Sequence, residues 1–296
     1  MSRSQLATET SASAQREYAG FQVEPLTASF GGLVNGIQIA EALSDEQLFA
    51  DLRQAWLHYQ VLFFRDQTLR PDEQLALGAK FGEIQKLGYA PSLEGHEGVW
   101  VQEYPALYDG LVADIDWHAD STFRPCPTRG SLLYALDVPV GGDTVWADQC
   151  AAYEALAPAW QNFVSQLTAI HDNMQRNLLH VLETMSAEQF AKMRQYLPPN
   201  EHPVVCNHPE TGRRFLFVSE LMTREITGMK RAESRAVLDF LFAHQTRPEF
   251  QCRFRWEPGS LALWDNFSTL HRGIFDFGRN HRLMHRVSFN TPWVPS

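Results

Sequence analysis

The stretch DWHADSTF, Asp116 to Phe123, places a histidine and an aspartate two residues apart. In an extended segment residues at that spacing project to one face, so His118 and Asp120 present an imidazole and a carboxylate together. Alone the pair is weak, and a hydrogen-bonded surface pair is the plainer reading. A later stretch, LALWDNFSTLHRGIFDFGRNHRLMHRVSF, adds His271. Two histidines and one carboxylate, with positions left open, make the facial triad of non-haem Fe(II) oxygenases. That chemistry requires a co-substrate that chelates iron and supplies electrons. 2-Oxoglutarate does so through its 2-oxo and C1 carboxylate groups, and its distal carboxylate then needs a cation deeper in the protein.

The same stretch carries Arg282 and Arg286 in a segment that reads as a strand. Four apart, they share a face, while Leu283 and His285 take the other. Two guanidiniums on an inward face are costly unless each meets an anion. An exposed face would remove the cost, but Leu283, Met284 and Val287 argue for burial. Arginine suits carboxylates because its planar fork pairs with them bidentately.

Composition bounds the alternatives. The 296 residues are 44% apolar and 20% charged, enough for a sizeable core. A net charge of −10 argues against a nucleic-acid partner, which requires clustered Lys and Arg, but not against a small anionic substrate in a buried site. Cys126, Cys150, Cys206 and Cys252 form no CxxC pair and read as isolated reduced thiols. No stretch approaches the ~20 apolar residues of a membrane span. The N-terminal MSRSQLATETSASAQREY lacks the apolar core of a signal peptide. These features predict a cytoplasmic protein with a disordered tail over residues 1–18 and a single domain over 19–296.

The elements that must position the candidate residues can be read from pattern. FQVEPL, VLFF and SLLYALDVP read as strands, GGDTVWAD as a turn into another, HPETGRRFLFVS as a hairpin with Thr211-Gly212 in its turn, and the end, FQCRFRWEPGSLALWDN then HRLMHRVSF, as strand-rich. Ser44 and Gln47 form a capping-box pattern for a helix through DEQLFADLRQAWLHY. RPDEQLALGAKFG reads as a helix with Pro71 in its first turn and Gly82 past its end. AAYEALAPAWQNFVSQL and AESRAVLDFLFAHQT carry helical periodicity, and Asn177 to Asn200 reads as a helical insertion or lid. The result is a mainly β sandwich or barrel with helical insertions.

Together, YQVLFFRDQ, FGEI, DWHADSTF, GGDTVWAD, AYEAL, HPETGRRFLFVS, WDN and NHRLMHR resemble the taurine dioxygenase/TfdA family of Fe(II)/2-oxoglutarate-dependent dioxygenases, from about Phe21 to about Phe289. The resemblance implies a double-stranded β-helix, or jelly roll, and an enzyme using Fe(II), 2-oxoglutarate and O2. It implies His118, Asp120 and His271 as iron ligands, and Thr144 with Arg282 as the seat of the 2-oxoglutarate distal carboxylate. Arg286 matches an arginine that meets the anionic head of the prime substrate, and Trp146 a tryptophan near the iron. It also implies a homodimer or homotetramer, without choosing between them.

Departures from the family pattern bear on the substrate. Where taurine dioxygenase has a histidine that helps hold the sulfonate, this chain has Leu87, and no histidine follows until His96. The asparagine that contacts the taurine amine aligns with Asp114, which could pair a substrate ammonium or lie solvated in a loop. Tyr89 could line the entrance. A small carboxylate or sulfonate is therefore expected, with hydroxylation, succinate and CO2 as outcome. An aspartate at position 120, rather than Ala or Gly, leaves no site for a halide. Desaturation or another oxidative step stays open, as do, more remotely, a zinc hydrolase and a non-catalytic binding protein. The other histidines have no partner spacing, and no GxSxG, phosphate-loop or Cys/His nucleophile pattern appears.

Overall fold

Strand after strand in this chain is apolar on both faces, and the two faces build two different cores. The computed structural model describes residues 18, 20–28, 30–86, 92–104, 116–173 and 186–296. In chain order its elements are β1 (Gln22–Pro25), β2 (Gly32–Asn35), α1 (Glu46–Tyr59), β3 (Val61–Phe64), α2 (Pro71–Phe81), β4 (Glu83–Ile84), β5 (Ser92–Leu93), β6 (His96–Tyr104), β7 (Thr128–Asp137) and β8 (Thr144–Asp148). Next come α3 (Gln149–Glu154), α4 (Pro158–Val164), β9 (Thr168–His171), α5 (Ala187–Tyr196), β10 (Asn200–Pro203), β11 (Val205–Asn207), β12 (Arg214–Leu216) and β13 (Thr223–Ile226). The chain ends with α6 (Arg231–Gln245), β14 (Gln251–Phe254), β15 (Leu261–Asp265), β16 (Thr269–Gly273) and β17 (Arg282–Asn290).

The large sheet runs β1-β2-β3-β15-β7-β17-β6-β5, with β4 beside β17, and is antiparallel except where β2 meets β3. A small antiparallel sheet, β14-β8-β16, faces it. Period-two alternation sorts the side chains. Leu62, Phe64, Leu132, Tyr134, Leu261, Leu263, Val287 and Phe289 point outward and pack under Leu52 and Trp56 of α1 and Leu77 and Phe81 of α2. Their neighbours Val61, Phe63, Leu133, Ala135, Ala262, Trp264 and Met284 point inward, against Trp146, Cys252 and Phe254 of the small sheet. Phe63 stacks on Phe254 at 4.3 Å between ring centroids. This is the expected jelly roll, mainly β with helices on the outer face. The inward face of β17 is also the face of Arg282 and Arg286, so the sandwich interior receives both arginines.

The helices lie close on the outer face. A side-chain β-carbon at Gly78 of α2 would stand 2.8 Å from Val287 Cγ1, so glycine permits this approach. The Gln74 amide, buried beneath the helix, donates to the His285 carbonyl at 3.1 Å.

Several local expectations change. Ser44 closes a 3₁₀ turn over Ile39–Leu43, so Asp45 caps α1, its carboxylate accepting the Leu48 N–H at 2.9 Å. The AAYEALAPAWQNFVSQL segment is two short helices, because Pro158 cannot continue the first and instead starts α4. Of the proposed insertion, 187–196 is helical, Asn200 begins β10, and 174–185 lie outside the described residues. The tail over 1–17 lies outside them too, while Tyr18 stacks on Phe21 at 4.9 Å. All four cysteines are free, and among the described residues no helix is long and apolar enough to cross a membrane.

Phe289 contacts Phe81 and Trp56 at centroid distances of 5.4 and 5.9 Å and is fully buried. Phe289→Ala is expected to lower the free energy of unfolding by about 3–5 kcal/mol, measured by urea denaturation. A loss under about 1 kcal/mol would mean that the helix-covered core does not carry the sheet.

Candidate active site

His118 lies outside the regular strands, yet it joins the small sheet through one two-bond bridge. Its N–H donates to the His271 carbonyl at 3.1 Å, and the His271 N–H donates back at 2.8 Å. Residues paired in this way carry their side chains on the same face. The two imidazole centroids are 4.2 Å apart. Asp120 completes the cluster, with Oδ1 3.7 Å from His118 Nε2 and Oδ2 3.5 Å from His271 Nε2. One donor atom from each of the three residues lies within 4.8 Å of the others.

The donor set suits a divalent metal. His118 Nδ1 is 2.9 Å from the Asp116 carbonyl oxygen, which can only accept, so Nδ1 carries the proton and Nε2 keeps its lone pair. Burial lowers the pKa of both histidines and His271, further depressed by His118, falls well below the usual value, so both rings are neutral. For Asp120, burial alone would raise the pKa, but the charge and hydrogen bond of Arg286 oppose it, and the carboxyl stays ionised well below the usual carboxylate range. Two neutral imidazoles and one carboxylate are the ligands that non-haem Fe(II) takes.

The cluster opens on a cavity of about 110 Å³ between the sheets. His118, His271, Thr144, Trp146, Arg282 and Arg286 line it together with Trp264, Gln102, Tyr104, Phe275 and Phe277. Trp146 is the cross-strand partner of His271 on β8 and fully buried, which puts it beside the cluster. The two arginines, equivalent in sequence, differ in surroundings. Arg286 donates through Nη2 to Asp120 Oδ2 and to Ser131 Oγ, the latter at 3.0 Å, and stacks over Trp264 at 4.9 Å. Arg282 has no acidic partner among the described residues; the aromatic rings of Phe277 and Tyr104 lie 5.8 and 5.9 Å from it, and Nε is buried without an acceptor. Burial lowers its pKa. Room for this guanidinium depends on Gly142 in the GG turn, where φ is +71° and a β-carbon would stand 3.3 Å from Arg282 Nε. The Thr144 hydroxyl oxygen accepts from Trp256 Nε1 at 3.0 Å, which leaves its proton to donate into the cavity.

Leu87, Tyr89 and Asp114 lie outside the described residues. Sequence reasoning did not single out Trp256, Gln102, Phe275, Phe277 or Asn266. Asn266 sat inside the quoted WDN stretch, whose chemistry shows only in three dimensions.

Residues 22–288 match the family described as taurine catabolism dioxygenase TauD, TfdA family. The chain belongs to this family. It is 32% identical over 273 residues to an alkylsulfatase of Acinetobacter baylyi, spanning 90% of this chain and 84% of that one. It is 35% identical over 262 residues to an (S)-phenoxypropionate/alpha-ketoglutarate-dioxygenase of Delftia acidovorans, spanning 85% and 88%. Among solved structures, a taurine dioxygenase from Burkholderia xenovorans aligns with a TM-score of 0.78 at 33% identity, over 93% of this chain and 91% of that one. AAD-2, in complex with Mn(II) and N-oxalylglycine, aligns with a TM-score of 0.79 at 28% identity, over 93% and 99%. The chain is thus a 2-oxoglutarate-dependent dioxygenase, of a family that uses Fe(II), 2-oxoglutarate and O2.

Behind the His118–Asp120 segment, the fully buried His171 meets Thr122 Oγ1 through Nδ1 at 2.9 Å. Burial, with His202 nearby, pushes its pKa down to about 3 from 6.5. The unfolded chain therefore binds this proton more readily than the folded one, and stability falls as pH drops below 6.5 toward 3, by at most about 1.4 kcal/mol per pH unit for one such group. The metal-free protein is expected to lose stability steadily from pH 6.5 to pH 4, followed by chemical denaturation, with a shallower slope in His171→Gln. An unchanged slope in that variant would show that His171 is not the group taking up the proton.

Proposed function

We propose that His118, Asp120 and His271 hold Fe(II), that Arg282 and Thr144 seat the distal carboxylate of 2-oxoglutarate, and that the prime substrate is a small alkyl or aryl molecule bearing a carboxylate, sulfonate or sulfate ester near Arg286. The observation carrying this reading is Arg282: a buried guanidinium without an acidic partner among the described residues, in one cavity with a His-Asp-His cluster. A buried cation of this kind is tolerated where an anion comes to meet it. The substrate class rests on the relatives, two of which are named for sulfate ester and phenoxypropionate chemistry.

Each residue has a task in this reading. The iron, with 2-oxoglutarate and O2, supplies the oxidising power that yields succinate, CO2 and a hydroxylated product. Arg282 and the Thr144 hydroxyl fix the far end of the co-substrate, so that its chelating end meets the cluster. Trp256 turns that hydroxyl toward the cavity. Trp146, Trp264, Phe275 and Phe277 make an apolar wall that excludes water. Arg286 keeps Asp120 ionised and has a buried Nε still unmatched, a donor for the substrate's anionic head.

Anaerobic titration of the metal-free protein with Fe(II) and 2-oxoglutarate should give the weak visible charge-transfer band of a chelate, lost in His118→Ala. Arg282→Ala should weaken 2-oxoglutarate binding by about 2–5 kcal/mol, or roughly 30- to 5,000-fold. Arg286→Ala should act mainly on the KM of the prime substrate. Equal effects of both variants on 2-oxoglutarate affinity would overturn the division of labour, and absence of the band in folded, metal-loaded protein would overturn the reading itself.

A further inference from the structure

We propose that Asn266 is a positioning residue for the metal centre: it clamps the main chain of Asp120, and so sets the direction of the one carboxylate in the cluster. The inference rests on the reading of that cluster as a metal site. Asn266 is fully buried in the turn between β15 and β16. Its Oδ1 accepts the Asp120 N–H at 2.7 Å, and its Nδ2 donates to the Asp120 carbonyl at 3.0 Å and to the Thr128 carbonyl at 2.8 Å. One side chain thus satisfies both main-chain groups of the aspartate and ties them to the start of β7. The amide sets an acceptor beside a donor with two hydrogens, as these three bonds require, and glutamine would overshoot by a methylene.

The clamp is itself held. The Asn266 N–H donates to the Arg129 carbonyl at 3.0 Å. The neighbouring Asp265 carboxylate receives Arg129 Nη1 at 2.6 Å and His208 Nε2 at 2.8 Å, and caps the Phe267 N–H at 2.9 Å. Arg129 is pressed between Trp56 and Phe267, its guanidinium 4.2 and 4.8 Å from their rings. A turn fixed this tightly carries Asn266 at one end and leads into His271 through β16 at the other. Both halves of the cluster, the His118–Asp120 segment and His271, are therefore referenced to one turn. Loss of the clamp frees the Asp120 main chain while leaving all three ligand side chains chemically intact.

The test compares Mn(II) and Fe(II) affinities of the metal-free full-length protein with those of Asn266→Ala and Asn266→Asp, by anaerobic calorimetry. Thermal unfolding of each metal-free protein is followed in parallel. Asn266→Asp keeps the shape and the acceptor but turns the two donated bonds into contacts between oxygens. Leu52→Ala, in the distant helix-covered core, is the control for lost stability alone. Both Asn266 variants are expected to bind metal about 10- to 100-fold more weakly, while Leu52→Ala, destabilised, binds as the wild type does. The metal-dependent rise in Tm should shrink in the Asn266 variants accordingly. If either folded Asn266 variant binds metal with wild-type affinity, the clamp does not position Asp120 and the inference fails. If the wild type itself binds no metal, or binds it unchanged in His118→Ala, it is the metal-site reading that fails.

Discussion

The structure hangs on a main-chain pairing between two segments far apart in sequence. His118 and His271 exchange hydrogen bonds as neighbours in an antiparallel ladder, although His118 belongs to no regular strand. That pairing fixes the separation and the common face of two imidazoles without asking anything of their side chains. Asp120 then falls on the same face, two residues along. The rings need only packing to complete their orientation, and Trp264, 5.2 Å from His271, supplies part of it. Had the pairing slipped by one residue, His118 would face away from His271, because the side-chain period of extended chain is two.

The sandwich gives this pairing its surroundings. Its outer core, under α1 and α2, makes the large sheet a rigid floor. Its inner core is aromatic where the sheets are closest and hollow near the cluster. The transition falls along β17, where Met284 packs in the apolar part while Arg282 and Arg286 enter the cavity on either side of it. One strand thus supplies both a core residue and two cations on one face. The cost of burying the cations is met differently: Arg286 has Asp120, and Arg282 has aromatic rings but no acidic partner among the described residues. Both keep a buried Nε without an acceptor.

The buried ion pair of Arg129 and Asp265 plays a different part. Burying two charges is costly, and their attraction need not repay it. What the pair provides is a turn with its N–H groups capped and its direction set, leading directly into the ligand-bearing strand. Burial would raise the Asp265 pKa, yet Arg129 and His208 hold it well below the usual carboxylate range, so the turn keeps its charge across ordinary pH.

Much of this was legible beforehand. VLFF, SLLYALDVP and HRLMHRVSF read as strands from their apolar residues, and the family resemblance implied the jelly roll that the sheets then formed. Spacing put His118 with Asp120, and Arg282 with Arg286, because two- and four-residue separations fix the face of any extended chain. Local pattern failed where a neighbour competed: Asp45 took the cap from Ser44, and Pro158 split a helix whose periodicity ran through it. Spacing alone also could not tell the two arginines apart, since their difference is an aspartate 166 residues away from one of them. Nor could it find Asn266 or Trp256, whose partners Asp120 and Thr144 are 146 and 112 residues distant. The sequence by itself determined which side chains share a face, a property of local backbone geometry. Only the tertiary structure decided which faces meet, because the pairing of distant strands is set by burial and hydrogen bonding summed over the whole sandwich.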